Sequence, residues 1–345
     1  MFKKITMNID LRSDTVTKPT APMMQAMINA EVGDNVFAED PTVDELEKKI
    51  AKMFGHEAAL FCPSGTMTNQ IAIKAHTQPG DELLCDTNAH IYNYEGGGIS
   101  QNSGVQAKLL SGDRGRINAT QVLDNINANY DWLTKTSLVC VENTVNRSGG
   151  SIYDIDELIS LSKVCNQNNL KFHMDGARIF NALVETGTTS TEIGKLFDSI
   201  SVCFSKGLGA PVGSALLGPI DFINKSRRIR KVFGGGMRQS GILAAAAIYA
   251  LDNNINRLKE DHQRAKHLEN MLLKLPYVKS CMVVESNIII FTLNDDILGE
   301  DFVKNAKDKK LISSAFAKHN IRFVTHLDFT DDMLIETEKI LKNLY

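Results

Sequence analysis

No stretch of this chain approaches the roughly 20 consecutive apolar residues that a membrane-spanning helix requires, so no span is expected. The opening MFKKITMNIDLRSD carries two lysines but no apolar run of signal-peptide length, and the protein is expected to stay in the cytoplasm. Charge of one sign is missing too. The 38 basic and 41 acidic residues leave a net charge of −3, too little to gather nucleic acid or an anionic membrane by long-range attraction. The six cysteines (Cys62, Cys85, Cys140, Cys165, Cys203, Cys281) stand apart with no C-x-x-C spacing and read as buried thiols of a reducing compartment. Eight histidines include no H-x-H or H-x-x-x-H pair, so no catalytic metal is expected and a metal-dependent aldolase lacks support. The phosphate-loop pattern G-x-x-x-x-G-K-[ST], aromatic RNA-binding signatures, fixed-period repeats and low-complexity tracts are also absent. A catalytically silent nucleotide- or RNA-binding protein therefore has nothing specific to rest on.

What is present is a globular composition, 43% hydrophobic and 23% charged over 345 residues, enough for a large core and a second, smaller domain. Asp40-Pro41 opens a helix with a cap and a first-turn proline; Leu46, Ile50 and Met53 form its apolar stripe, and Gly55 ends it. Ala58–Cys62, Glu82–Cys85, Ser137–Val141, Leu170–Met174 and Ile200–Phe204 read as strands. Between them lie a helix near 66–76 and one from a capping box at Asp154–Glu157 to about 167, and an Ala-rich helix follows around 240–251. Continuous apolar strands separated by helices imply an α/β fold with a mostly parallel sheet covered on both faces. Beyond it, helices near 261–274, in 301–318 and from about 330, with strands at Ile288–Leu293 and Ile321–Val324, predict a small α+β domain. The expected division is 1–255, its N-terminal segment contributing to the substrate site, and 256–345.

Ligands of such a sheet sit outside the carboxyl ends of the strands, and several reactive residues fall there. Lys206 follows the strand Ile200–Phe204 and begins the glycine-rich turn SKGLGAPVG. Asp175 follows Met174, with Arg178 three residues on. Ser64-Gly65-Thr66 lies between strand and helix, where backbone N–H groups and the helix dipole hold a phosphate. An amine, a carboxylate and a phosphate cradle are the needs of pyridoxal phosphate: its aldehyde takes a lysine, its ring nitrogen a carboxylate, its phosphate backbone donors. Taken singly, a lysine in a glycine turn is ordinarily a surface residue and S-G-T ordinarily a helix cap; the order and spacing carry the reading.

The strings DLRSDTVTKPT (10–20), GDNVFAEDPTVDELE (33–47), PSGTMTNQIAI (63–73), HMDGARIFNA (173–182), SKGLGAPVGSALLG (205–218), RKVFGGGMRQSG (230–241) and IRFVTHLDF (321–329) closely resemble the threonine aldolase family. The resemblance implies fold type I of the pyridoxal-phosphate enzymes, the aspartate aminotransferase-like architecture. The implied reaction is retro-aldol cleavage of L-threonine, L-allo-threonine and related β-hydroxy amino acids to glycine and an aldehyde. By the same resemblance, Lys206 holds the cofactor covalently and Asp175 pairs with its ring nitrogen. Gly65, Thr66 and Arg238 take the phosphate, Arg238 reaching toward a neighbouring subunit's site, and His90 in DTNAHIYNYEGGG stacks on the ring. Ser13, Arg178 and Arg322 take the substrate carboxylate, the arginines with fork geometry suited to it. Tyr94 and Glu95 are candidates for shaping the pocket, and Asp14 and Thr15 for supporting Ser13.

Arg227, Arg228, Arg230 and Lys231 form a basic run that ordinarily marks a solvated face. With GGG directly after it, the run reads as part of a phosphate site near a subunit contact, Lys231 a secondary ligand. The base that takes the β-hydroxyl proton is left between His90, a water it orients, and Lys206. A dimer with shared sites, paired into a tetramer, is expected. The chain departs from the family pattern at Val145, where many relatives carry a histidine after ENT, in NYDWLTKT, which lacks a second histidine, and at Asn35, commonly an acid. β-Elimination, racemisation and one-carbon transfer from serine are the alternative reactions on the same fold.

Overall fold

The structure, a computed structural model, describes residues 8–345; the first seven residues of the opening segment considered above for a leader lie outside the described residues. The strands in chain order are β1 (Ile9–Asp10), β2 (Ala58–Cys62), β3 (Asp81–Asp86), β4 (Gln106–Leu110), β5 (Lys135–Glu142), β6 (Lys171–Gly176) and β7 (Ser199–Cys203). There follow β8 (Ser214–Gly218), β9 (Val278–Cys281), β10 (Ile288–Leu293), β11 (Leu311–Ile312), β12 (Ser314–Ala317) and β13 (Asn320–Val324). A seven-stranded sheet has the order β2-β8-β7-β6-β5-β3-β4, and β8 runs antiparallel to both neighbours while the other pairings are parallel. The mostly parallel sheet expected from the sequence is therefore present. Apart from the edge strand β4, its strands are buried along nearly their whole length, because helices cover both faces.

Local chemistry sets the elements. Asp40 caps the helix Pro41–Phe54 by accepting from Val43 N–H and also accepts from Gly241 N–H at 2.8 Å, so one buried carboxylate ties two helix starts together. Gly55 closes that helix in the left-handed conformation. Asp154 caps the helix Ile155–Gln167 through Asp156 N–H, but the expected capping box does not close: Glu157 accepts instead from Ala119 N–H, fastening the start of the earlier helix Ala119–Asn125. After β7 the chain turns through Gly209 and Gly213, both at positive φ, and a Cβ at Gly213 would stand 2.6 Å from the Phe61 ring. That turn lets β8 run back between β7 and β2, with Lys206 left at its start.

A second sheet, β12-β13-β10-β9, is antiparallel, and a parallel pair joins β1 to β11. Its core holds Phe291, Phe302 and Phe323 together with Ile9 and Leu11 from the N-terminal segment. The helix expected in 301–318 is present but short. The helix spans Gly299–Asp308 only, Lys310 takes a positive φ, and Leu311–Ala317 is drawn into strands by pairing with Ile9–Asp10 and with β13. Pairing across 300 residues of chain overrides a local helical pattern. No helix among the described residues is long and apolar enough to cross a membrane. All six cysteines are unpaired, five of them buried.

Phe291 is fully buried, with edge-on contacts to Phe323 (5.1 Å between centroids) and Phe302 (5.6 Å). Phe291→Ala is expected to lower stability by about 3–5 kcal/mol, read as an earlier urea midpoint; an unmoved midpoint would show that this cluster is not what holds the C-terminal sheet.

Candidate functional site

The carboxyl ends of β3, β5, β6 and β7 open on one side of the large sheet, and the second sheet faces them. Between the two lies a cavity of about 340 Å³ whose walls bring together Ser13, His90, Tyr94, Arg178, Lys206 and Arg322, all singled out from the sequence. Asn146, Phe316 and Thr15 complete the walls. Asp175 lies behind them, 3% exposed at the end of β6. Gly65 and Thr66 begin the helix Gly65–His76, with the Ser64 hydroxyl capping Met67 N–H. The first N–H groups of a helix have no intrahelical acceptor, and among the described residues nothing else accepts from Gly65 or Thr66 N–H.

Lys206 is held by its own backbone: its carbonyl accepts from Thr17 Oγ1 at 3.1 Å and from Gly209 N–H at 2.8 Å. Arg178 is buried and forks onto Asp14, its Nε donating to Oδ2 at 2.8 Å and its Nη2 to Oδ1 at 2.7 Å. Asn287 Nδ2 adds a third bond to Asp14 Oδ2. Burial opposes the Asp14 charge, but Arg178 and then Lys206 outweigh it and hold the carboxyl well below its ordinary range. The expectation that Asp14 supports Ser13 gives way to a larger role, because its carboxylate is the counter-ion of Arg178. Arg322 spends its donors on neutral groups, Nη1 on Asn146 Oδ1 and Nη2 on the Arg12 carbonyl, both at 3.0 Å. Burial and the charge of Arg178 both press its pKa down. Two guanidiniums sharing one carboxylate leave an excess of positive charge at the cavity.

On the opposite wall the charge is negative. His90 Nδ1 sits 3.1 Å from Glu95 Oε1, and the His90 backbone N–H donates to Glu142 Oε2. Burial disfavours the charged ring, but the bond to Glu95 and the fields of Asp175 and Glu142 outweigh it, so His90 titrates above the ordinary imidazole value. Glu142 is itself pushed up by burial and by Asp175. Glu95 is buried and accepts from Asn69 and Gln70 as well as His90; the hydrogen bonds to Asp175 come from Asn69 Nδ2 and Ala177 N–H, both neutral. His90, Glu95 and Asp175 place ligand atoms within 4.8 Å of one another. Tyr94 lies beside His90 with its centroid 5.5 Å away, and the Arg147 guanidinium bridges the Tyr94 and Phe316 rings.

Arg238 is not part of this cavity. It is half exposed, bonded to Asp34 at 2.8 Å, and lies over the Phe37 ring. The basic run before it is not one patch either: Arg227 binds Glu47, and Arg230 is buried with Nη1 on the Phe61 carbonyl, leaving Arg228 and Lys231 outside. Sequence reasoning missed Asn69, Asn146 and Asn287, three amides whose importance lies in what they orient. Asn69 and Asn146 sit inside strings already singled out, PSGTMTNQIAI and ENTVNRSGG; Asn287 carries no local signal.

The beta-eliminating lyase family matches residues 10–295. Low-specificity L-threonine aldolase 1 of Arabidopsis thaliana is 40% identical over 333 residues, covering 94% of this chain and 92% of its own. The low specificity L-threonine aldolase of Escherichia coli is 40% identical over 332 residues, covering 95% and 96%. Among solved structures, a threonine aldolase of Leishmania major superposes with a TM-score of 0.84 over 97% of this chain and 99% of that one; at 19% identity this speaks to the fold alone.

Asp14→Asn breaks a buried pair and is expected to cost about 3–5 kcal/mol at pH 7. The folded-state pKa of Asp14 is depressed, so its contribution is complete above the ordinary carboxyl pKa and disappears as pH falls below it. Urea midpoints of wild type and variant are therefore expected to converge between pH 5 and pH 2, on the order of that range; a gap that stays constant would mean the carboxylate charge is not what stabilises.

Proposed function

This chain belongs to the beta-eliminating lyase family, and within it to the low-specificity L-threonine aldolases; from that membership we propose that it splits L-threonine, L-allo-threonine and related β-hydroxy amino acids into glycine and an aldehyde, using pyridoxal phosphate. The observation that carries the reading is the charge gathered at one cavity: two guanidiniums beside the single carboxylate of Asp14, a buried carboxylate held only by neutral donors behind the lining, and Lys206 on the wall. Such an arrangement suits an amino acid whose carboxylate meets the arginines while its amine and Cα lie toward the lysine.

Three features support the cofactor. Asp175 is a buried anion suited to a protonated ring nitrogen, Lys206 offers an amine on the cavity wall, and the open start of the helix Gly65–His76 offers N–H groups to a phosphate. When bound, pyridoxal phosphate supplies the electron sink that allows a bond at Cα to break. The chain's own residues do the rest. Arg178, locked by Asp14, and Arg322, locked by Asn146, fix the substrate carboxylate and with it the angle at which the Cα–Cβ bond stands. Ser13 lies beside them on the same wall. His90, its Nδ1–H donated to Glu95, keeps Nε2 as the lone pair that takes the β-hydroxyl proton, directly or through a water, as acetaldehyde leaves.

We take residues 1–255 as the cofactor-binding domain and 256–345 as the small domain, with β1 of the first laid against β11 of the second. A homo-oligomer is part of the same proposal, a dimer with shared sites paired into a tetramer. Exposed Arg238, with exposed Phe37 and Val232 near it in the chain or in space, supports its reach to a neighbour's phosphate. The unpaired thiols support a cytoplasmic location.

Acetaldehyde and glycine in equal amounts from L-threonine and L-allo-threonine are the expected products; pyruvate and ammonia without glycine would overturn the assignment. His90→Asn is expected to slow cleavage by about 10²–10⁴ while the cofactor stays bound. Because the base must be neutral and His90 titrates above 6.5, the acid limb of kcat is expected above that pH in wild type and lost in the variant. Sedimentation showing a fully active monomer would remove the shared-site proposal.

A further inference from the structure

We propose that Asn69 is a positioning residue for the reaction, its amide bridging Glu95 and Asp175 while a hydrogen-bond chain from His76 through Ser199 and His173 fixes which way that amide faces. The inference rests on the aldolase reading for its kinetic consequences and on geometry alone for the chain itself.

The direction of every bond follows from chemistry. Carboxylates only accept, so the contacts of Asn69 Nδ2 with Glu95 Oε1 and Asp175 Oδ2, both 2.9 Å, spend its two N–H groups. Asn69 Oδ1 then faces His173 Nε2 at 3.2 Å and accepts, which places the His173 proton on Nε2. His173 Nδ1 must accept from the Ser199 hydroxyl at 2.8 Å, and Ser199 Oγ in turn accepts from His76 Nε2–H at 2.8 Å. His173 is fully buried, and burial pushes its pKa down to about 4, so one proton is all the ring carries at neutral pH. His173 and Ser199 are register partners across β6 and β7, and Asn69 and His76 are seven residues, two turns, apart on the helix Gly65–His76. One helix face thus grips the sheet at both ends of the chain.

What this does for the site follows from the two carboxylates. Glu95 and Asp175 oxygens lie within 4.8 Å of each other in a buried setting, and two such groups without a donor between them repel each other out of position. Gln70 also donates to Glu95, Ala177 N–H also donates to Asp175, and His90, Glu142, Cys140 and His173 are titratable groups nearby; among the described residues only Asn69 bonds to both carboxylates. Without it each carboxylate loses a donor, so Asp175 is less firmly placed for the ring nitrogen and Glu95 less firmly placed under the His90 ring.

Nitrogen-15 spectra of histidine-labelled, cofactor-loaded enzyme test the chain directly. His173, identified by its absence in His173→Gln, is expected to show a protonated Nε2 and a bare Nδ1; the opposite tautomer or a doubly protonated ring would overturn the inference. Asn69→Ala is expected to lower kcat roughly 10- to 100-fold, to leave KM for L-threonine nearly unchanged because the arginines are untouched, and to weaken cofactor binding. Unchanged kcat and cofactor dissociation constant would count against the proposal. His173→Gln keeps an N–H for Asn69 and is expected to retain much of the activity that His173→Leu loses; equal behaviour of the two would also count against it. Should wild type release no acetaldehyde, the aldolase reading fails while the tautomer still decides the chain.

Discussion

The site depends first on the buried pair between Arg178 and Asp14. Arg178 stands just past the end of β6 in the large sheet, Asp14 belongs to the N-terminal segment whose first strand lies in the second core, and Asn287, which completes the pair, adjoins β10 of the second sheet. Three remote parts of the chain meet at one ion pair. A buried pair contributes little net stability, since desolvation offsets most of the attraction, but losing one partner is costly, which makes the pair a strong device for fixing geometry. Here it fixes the guanidinium edge that faces the cavity.

From that anchor the charges sort themselves. Arg178 is neutralised by Asp14, so the positive excess at the cavity comes from Arg322 and Lys206, whose hydrogen bonds go to neutral groups or whose amine lies free on the wall. Behind His90 stand the carboxylates Glu95 and Asp175, and the amides of Asn69 and Gln70 donate to them and hold them in place. A zwitterionic amino acid with a cationic ring behind it fills both deficits, whereas a neutral ligand would fill neither. Fold type alone could not supply this argument, because one architecture hosts many reactions; the distribution of charge in the site narrows them.

Much of this was legible beforehand for a definite reason. Lys206, Asp175 and the Ser64-Gly65-Thr66 turn each follow a buried strand, and β-branched runs between helices announce themselves through local periodicity. The helix Pro41–Phe54 was readable down to its caps, since Asp40, Pro41 and Gly55 act on their immediate neighbours. The helix read in 301–318 stops at Asp308, because the partner of Leu311 is Ile9, and no local pattern reports a partner at such a distance. The basic run Arg227–Lys231 was misleading for a related reason: Glu47, distant in sequence, pairs with Arg227, and the Phe61 carbonyl holds Arg230 in the interior.

The residue types alone therefore determined the elements, the sheet class and the reactive groups, because capping, periodicity and functional-group chemistry are short-range or intrinsic. Only the tertiary structure decided which of these groups act on one another. It made Asp14 the counter-ion of Arg178 as well as an acceptor for Ser13, gave Arg322 to Asn146, set Arg238 outside the cavity of its own chain, and let one amide at Asn69 stand between two carboxylates. Electrostatics and hydrogen bonding fall off over a few ångströms in space without regard to distance along the chain, and that distance is created by folding.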